Sequence, residues 1–280
     1  MVDWKNLPKI DAHIHLMPED VIQANQGYSD PFVDYGSVEA YRQRMETWNI
    51  RQAWIMPFND PYMLSMDFQV ETVHDNLRRM ASAGGGKLRL FADVDIRREI
   101  GGTLRELERV LAWEETVGIK LHPTNTGYPV DGAYYDAIFQ FAAASDTLVE
   151  IHSYPRGHLS DDVCSPSRIR RVLDKHPALR LSIAHLGGFQ YEELVDLPVC
   201  CNLSAVLPDL VNRLGTEETN QILRRMGVDR LIFATDFPDS RSLKTEDIYE
   251  TYFDILGKMD FSQEEAERIS MGNALRMLRR

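Results

Sequence analysis

Two histidines one residue apart, His13-Ile14-His15, stand near the start of the chain. A third, His152, ends the run Thr-Leu-Val-Glu-Ile-His, and an aspartate, Asp236, ends Leu-Ile-Phe-Ala-Thr-Asp. Imidazole nitrogen and carboxylate oxygen are ligands for a divalent cation, at about 2.0–2.1 Å for a zinc–nitrogen bond. Alternate side chains of a strand share a face, so His13 and His15 point the same way, about 6–7 Å apart at Cα, with Ile14 turned outward. Both rings can therefore reach one ion. An HxH pair alone is an ordinary polar pattern; its weight comes from His122, His152 and His185, which also fall at or near strand ends. A carboxylate ending a buried run needs a cation or hydrogen-bond donors. The other reading of Asp236, as cap of the next helix, is opposed by Pro238 and the loop that follows. An ion held by such groups activates water towards a pKa of about 7 and polarises a carbonyl.

Residues so far apart in sequence meet only if the fold gathers strand ends. Short β-branched or apolar runs at 9–15, 51–58, 88–95, 118–123, 147–153, 180–186, 199–205 and 230–237 read as strands. Helical patterns lie between and after them, at 37–49, 67–83, 103–117, 133–145, 165–176, 191–196, 208–226, 245–258 and 262–279. Strands alternating with helices imply βαβ units and a parallel sheet, and eight of them close into a (β/α)8 TIM barrel. An open doubly wound sheet needs fewer strands, and no GxGxxG follows any of these. In a barrel the C-terminal strand ends form one face, which holds the active site. Ser262 with Glu265 forms a capping box, and Gly118 and Gly227 stand where a helix should stop. The stretch 16–36 should lie over the barrel mouth, and Gly84-Gly85-Gly86 is a connection without the Lys-Ser/Thr of a phosphate loop.

With 280 residues, the expectation is one barrel domain over 1–280, about the usual size for this fold. The net charge of −12 argues against nucleic acid, since polyanions need clustered Lys and Arg. Arg168, Arg170 and Arg171, and Arg276, Arg279 and Arg280, read instead as solvated helix faces. No run reaches the roughly 18 apolar residues of a membrane span, and the N-terminus has no signal-like apolar core. Cys164, Cys200 and Cys201 form no CxxC pair, so neither a disulfide framework nor a thiolate zinc site is expected, and a reducing cytoplasm fits. A small-molecule substrate is the expected partner. A homodimer is plausible for such an enzyme, although no motif carries it.

These residues also carry a resemblance. Asp-Ala-His-Ile-His, Gly-Ile-Lys-Leu-His-Pro, Ala-His-Leu-Gly-Gly, Ala-Thr-Asp-Phe-Pro and Gly-Asn-Ala-Leu-Arg, in that order over nearly the whole chain, resemble the amidohydrolase-related branch of the amidohydrolase superfamily. That branch contains hydrolases and lactonases, and non-oxidative decarboxylases similar to aminocarboxymuconate-semialdehyde decarboxylase. The resemblance implies one catalytic divalent metal, usually zinc with manganese as the alternative, bound by His13, His15, His152 and Asp236. It also implies that His185 contacts metal-bound water or substrate rather than the ion. Where binuclear relatives carry a bridging lysine at the end of strand four, this chain has His122, with Lys120 one pleat lower. A mononuclear site follows, with Lys120 in an ion pair inside the barrel for which Asp11 is a candidate partner.

The expected chemistry is hydrolysis of a small carboxylated amide, ester or lactone. Asp236 would move the proton from water to the leaving group and His185 would steady the oxyanion. Arg156, His158 and Arg241 are candidates to hold a substrate carboxylate, and His122 to contact substrate or serve as a hydrogen-bonding wall. Trp54 and Phe58 either wall the pocket or pack in the core. The alternative on the same site is non-oxidative decarboxylation of an aromatic or muconate-type acid, which release of carbon dioxide would reveal. A metal-binding barrel without turnover is a third reading, against which stands the full set of ligands with a base.

Overall fold

The computed structural model describes residues 2–27, 29–57, 69–155 and 162–278. Eight parallel strands hydrogen-bond in chain order: β1 Lys9–Ile14, β2 Ile50–Ile55, β3 Leu88–Ala92, β4 Thr116–Leu121, β5 Leu148–His152, β6 Arg180–Ala184, β7 Cys200–Asn202 and β8 Leu231–Ile232. Every residue of β1 and β5 is buried, as expected of strands covered on both faces. The barrel is drawn together where chain start meets chain end. Ala12 N–H donates to Phe233 O (3.1 Å), Asp236 N–H to His13 O (2.9 Å) and His15 N–H to Phe237 O (2.7 Å). Ile14 also bridges Phe237 in parallel.

Helices Val38–Thr47, Val70–Ala83, Ile100–Leu111, Ala133–Ala144 and Pro166–Lys175 return the chain from β1 through β5 to the next strand. Their apolar stripes pack on the outer sheet face in one continuous core. A second apolar cluster, Ile10, Ala12, Trp54, Met56, Phe91, Leu148, Ile232 and Ala234, lies against Ala274 and Met277 of the last helix. Trp54 belongs there, fully buried, with its indole N–H on Gln52 Oε1 (2.9 Å); it packs in the core and does not wall the site. Among the described residues no helix is long and apolar enough to cross a membrane. Arg168 and Arg171 both pair with Asp131 at 2.7 Å and Arg170 pairs with Asp196 at 2.8 Å, so this basic cluster is spent on neighbouring carboxylates.

Several sequence expectations are revised. The helix expected over 103–117 runs Ile100–Leu111, because Glu99 caps it by accepting from the N–H groups of Gly101 and Gly102. Gly118 is therefore no helix stop. It lies inside β4, where a Cβ would come within 2.2 Å of Leu148 O. The helix expected over 208–226 is broken at Gly215 (φ 85°) into Val206–Leu214 and Thr216–Met226. Gly227 does end the second of these, and the Ser262–Glu265 capping box is present. The stretch 16–36 holds two short helices, Glu19–Ala24 and Pro31–Tyr35. After β6 the backbone turns sharply: His185, Leu186, Gly187 and Gly188 all have positive φ, between 54° and 72°. Two glycines following two left-handed residues make that turn feasible, and strain of this kind collects at functional sites.

Candidate active site

The strand ends and the loops after them line a cavity of about 610 Å³. His13, His15, His122, His152, His185 and Asp236 all face it, with Phe32, Pro57, Tyr154 and Arg241. Donor atoms of His13, His15 and Asp236 lie within 4.8 Å of one another. Nε2 of His13 and Nε2 of His15 are each 3.3 Å from Asp236 Oδ1. The expected alternation brings the two rings to one side, with centroids 5.4 Å apart, while Ile14 packs in the outer core. Asp236 lies beyond the regular part of β8, with φ 68°, its place fixed by the backbone bond to His13. His152 stands in the same cavity but outside that compact group, its Nδ1 3.0 Å from His185 Nε2 and its ring stacked on His122 at 3.9 Å.

Hydrogen-bond partners decide which imidazole nitrogens carry protons. Ser204 Oγ–H donates to Asn202 Oδ1 (2.6 Å), so both Ser204 oxygens can only accept from His185 Nδ1, each at 2.9 Å. His185 Nδ1 therefore carries the hydrogen and its Nε2 accepts from His152 Nδ1–H. That leaves His152 Nε2 with an open lone pair. Asn125 N–H donates to His122 Nδ1 (3.2 Å), so the His122 proton sits on Nε2. Burial keeps His185 neutral, with its pKa near 3, and burial together with Lys120 holds His122 well below the usual histidine range. Burial opposes charge on Asp236, but the surrounding His13 and His15 hold its carboxyl well below the usual carboxylate range.

Sequence reasoning missed the group behind His13. Glu150 on β5 is buried, with Oε1 2.7 Å from His13 Nδ1 and 3.3 Å from Lys120 Nζ, while its Oε2 accepts from Ser182 Oγ (3.1 Å). The available signal was a glutamate inside an apolar run, two residues before His152. The expectation that Asp11 pairs with Lys120 fails. Asp11 instead accepts from Thr235 Oγ1 (2.7 Å) and Tyr249 OH (2.8 Å), and Tyr249 belongs to the helix layer. The β1–β2 register shifts between Asp11 and Ile14, so the two-residue alternation that would align Asp11 with His13 is interrupted.

Arg241 lines the cavity, 3.4 Å from Asp236 Oδ2 and 2.6 Å from Asp239 Oδ2. Arg156, His158 and Phe58 lie outside the described residues. The donor set suits a cation. With Nδ1–H directed at Glu150, His13 turns the lone pair of Nε2 towards the carboxylate oxygen of Asp236. Two acceptors at that distance need a proton or a metal ion between them, and nitrogen and oxygen donors of this kind bind zinc or manganese.

Several solved structures share this fold across nearly their whole length. The 5-carboxyvanillate decarboxylase of Novosphingobium aromaticivorans, complexed with manganese and 4-hydroxy-3-methoxy-5-nitrobenzoic acid, aligns with a TM-score of 0.73 at 14% identity, over 99% of this chain and 97% of its own. The 2,6-dihydroxybenzoate decarboxylase of Rhizobium gives 0.69 at 15% identity, covering 97% and 98%. A probable 2-pyrone-4,6-dicarboxylic acid hydrolase of Acinetobacter baumannii, with citric acid bound, gives 0.69 at 16% identity, covering 97% and 99%. At these identities the likeness is one of fold. Among curated proteins none matches the chain by sequence. The model of the amidohydrolase family matches residues 10–280, almost the whole chain, and with the barrel and its gathered histidines this decides the kinship: the chain belongs to the amidohydrolase family.

Proposed function

We propose that residues 1–280 act as a single barrel domain, a metal-dependent carboxy-lyase releasing carbon dioxide without oxidation from a small aromatic or muconate-type acid. The observation that carries the reading is the division of Asp236. Its Oδ1 faces both Nε2 atoms, while its Oδ2 faces Arg241 on the cavity side. In this reading one oxygen would serve a cation and the other a proton. His13, His15, His152 and Asp236 would hold one divalent ion, zinc or manganese, which supplies an electrophile that draws charge from a substrate oxygen. Arg241 and the Nε2–H of His122 would hold the substrate carboxylate and a neighbouring oxygen. Phe32, Tyr154 and Pro57 offer flat apolar walls for a ring. As the carbon–carboxylate bond breaks, its electron pair stays on the ring carbon. Asp236, ionised at rest, would take up a proton from solvent at Oδ2 and pass it to that carbon as carbon dioxide leaves.

The choice over hydrolysis leans on the company of the fold. The decarboxylases from Sphingomonas paucimobilis, Novosphingobium aromaticivorans and Rhizobium share it, as does a probable hydrolase. Hydrolysis remains the second reading, favoured by that hydrolase and by a carboxylate placed to take a proton from water. The test supplies the protein with Zn²⁺ or Mn²⁺ and offers hydroxybenzoates, muconate-type acids, lactones and esters. Carbon dioxide release is expected, and hydrolysis without it moves the assignment to the second reading. Asp236→Asn should lower turnover by about 10²–10⁴. Full activity in that variant, or after verified metal removal, overturns the mechanism.

A further inference from the structure

Glu150 has no place in the proton transfers above, yet it is a fully buried carboxylate at the centre of the barrel. Three strands aim polar groups at it: His13 from β1, Lys120 from β4 and Ser182 from β6. The Lys120 ammonium and the Ser182 hydroxyl can donate, and a carboxylate can only accept, so the hydrogen between Glu150 and His13 must sit on His13 Nδ1. Asn202 Nδ2 is 3.4 Å from the same nitrogen. The Asn202 oxygen already accepts from His185 N, Ser204 N and Ser204 Oγ, so what faces His13 is the NH2 group, which cannot accept that hydrogen. Glu150 is thus the one acceptor among the described residues that selects this form of the ring.

We infer that Glu150, neutralised by Lys120, is a positioning residue that fixes His13 in the tautomer and orientation presenting the Nε2 lone pair to a divalent cation. The inference rests on the metal reading above. Without an acceptor at Nδ1, the imidazole hydrogen can move to Nε2, which then cannot ligate, and the ring can turn about its χ2 bond. Lys120 has a second part in this. A carboxylate without a counter-charge would compete with Asp236 for the cation and would be costly to bury. With the ammonium at 3.3 Å, Glu150 presents a hydrogen-bond acceptor while the pair carries no net charge. Lys120 is therefore engaged as a counter-ion rather than as a bridge between two metals.

The test measures Zn²⁺ and Mn²⁺ affinity of the full chain by competition with a chromophoric chelator, beside thermal stability and histidine 15N chemical shifts of the metal-free protein. In the wild type the shifts should report a hydrogen on His13 Nδ1; a bare Nδ1 overturns the inference whether or not metal binds. Glu150→Ala combined with Lys120→Met removes the acceptor without stranding a charge, and should weaken metal binding about 10- to 100-fold. Glu150→Gln combined with Lys120→Met keeps an acceptor oxygen and should recover most of that loss. Wild-type affinity in the alanine pair, or an equal loss in both pairs, overturns the inference. If the alanine pair does not fold, the glutamine pair must still show His13 protonated at Nδ1, and the opposite result overturns it. If the wild type binds neither ion, the metal reading fails while the tautomer measurement still judges Glu150.

Discussion

Asn202 is the polar pivot behind the histidines. Its Oδ1 accepts from the backbone N–H of His185 (3.1 Å) and from the N–H (3.3 Å) and hydroxyl (2.6 Å) of Ser204. These bonds hold His185 at φ 60° and direct its Nδ1–H onto Ser204, which in turn orients His152. Asn202→Leu keeps the volume but leaves three buried donors without an acceptor. Leaving even one such group unmade costs about 1–3 kcal/mol, so a loss of about 3 kcal/mol is expected in a denaturant titration. If His185 serves to orient His152 at the proposed site, His185→Asn should lower turnover about 10²-fold while the melting temperature moves little. The histidines were legible at this scale because their chemistry is carried by residue type. Glu150, Asn202 and Ser204 were not, because what makes them important is an acceptor or donor supplied by a strand elsewhere in the chain.

The strands and helices themselves were legible from the alternation of apolar runs and amphipathic stretches, and the order of eight strands follows it. What the pattern hides is irregularity. The period-two rule assumes an unbroken pleat, so the register shift between Asp11 and Ile14 was invisible and Asp11 was assigned to the barrel centre instead of the helix layer. Regular β8 covers only Leu231–Ile232, because the chain beyond it leaves the ladder to deliver Asp236. Gly118 illustrates the reverse error, in which a residue that looks like a helix stop is required by close strand pairing. Gly118→Ala places a methyl against the backbone oxygen of Leu148, which no rotamer change can relieve. It should cost about 1–3 kcal/mol of stability and leave metal affinity little changed. A combined measurement of unfolding and chelator competition checks both parts.

Across the whole molecule, buried charge sets the pH response. Asp93, one residue past β3, is 2% exposed, and burial pushes its carboxyl up to about 6 against the pull of His74. The folded state then binds more protons than the unfolded state between about pH 4 and pH 6, so this group's contribution to stability falls as pH rises through that window and stays low above it. Two pH units correspond to about 3 kcal/mol. Asp93→Asn, which keeps an oxygen for Val94 N–H, should be more stable than the wild type above pH 6 and lose the advantage near pH 4. Denaturant midpoints at the two pH values decide it.

The backbone bonds that join His13 and His15 to Asp236 and Phe237 also set an order of events in folding. Asp11 and Thr235, bonded at this seam, are 224 residues apart, so the seam closes only after a very long loop is drawn in. An ion held as proposed across the seam would have nothing complete to bind while the chain is still assembling, and its grip would be lost as soon as the first and last strands part. Added Zn²⁺ or Mn²⁺ should therefore leave the refolding rate unchanged and slow unfolding in proportion to one plus the ratio of ion concentration to Kd, making the cation a latch on the closed barrel rather than a nucleus for building it.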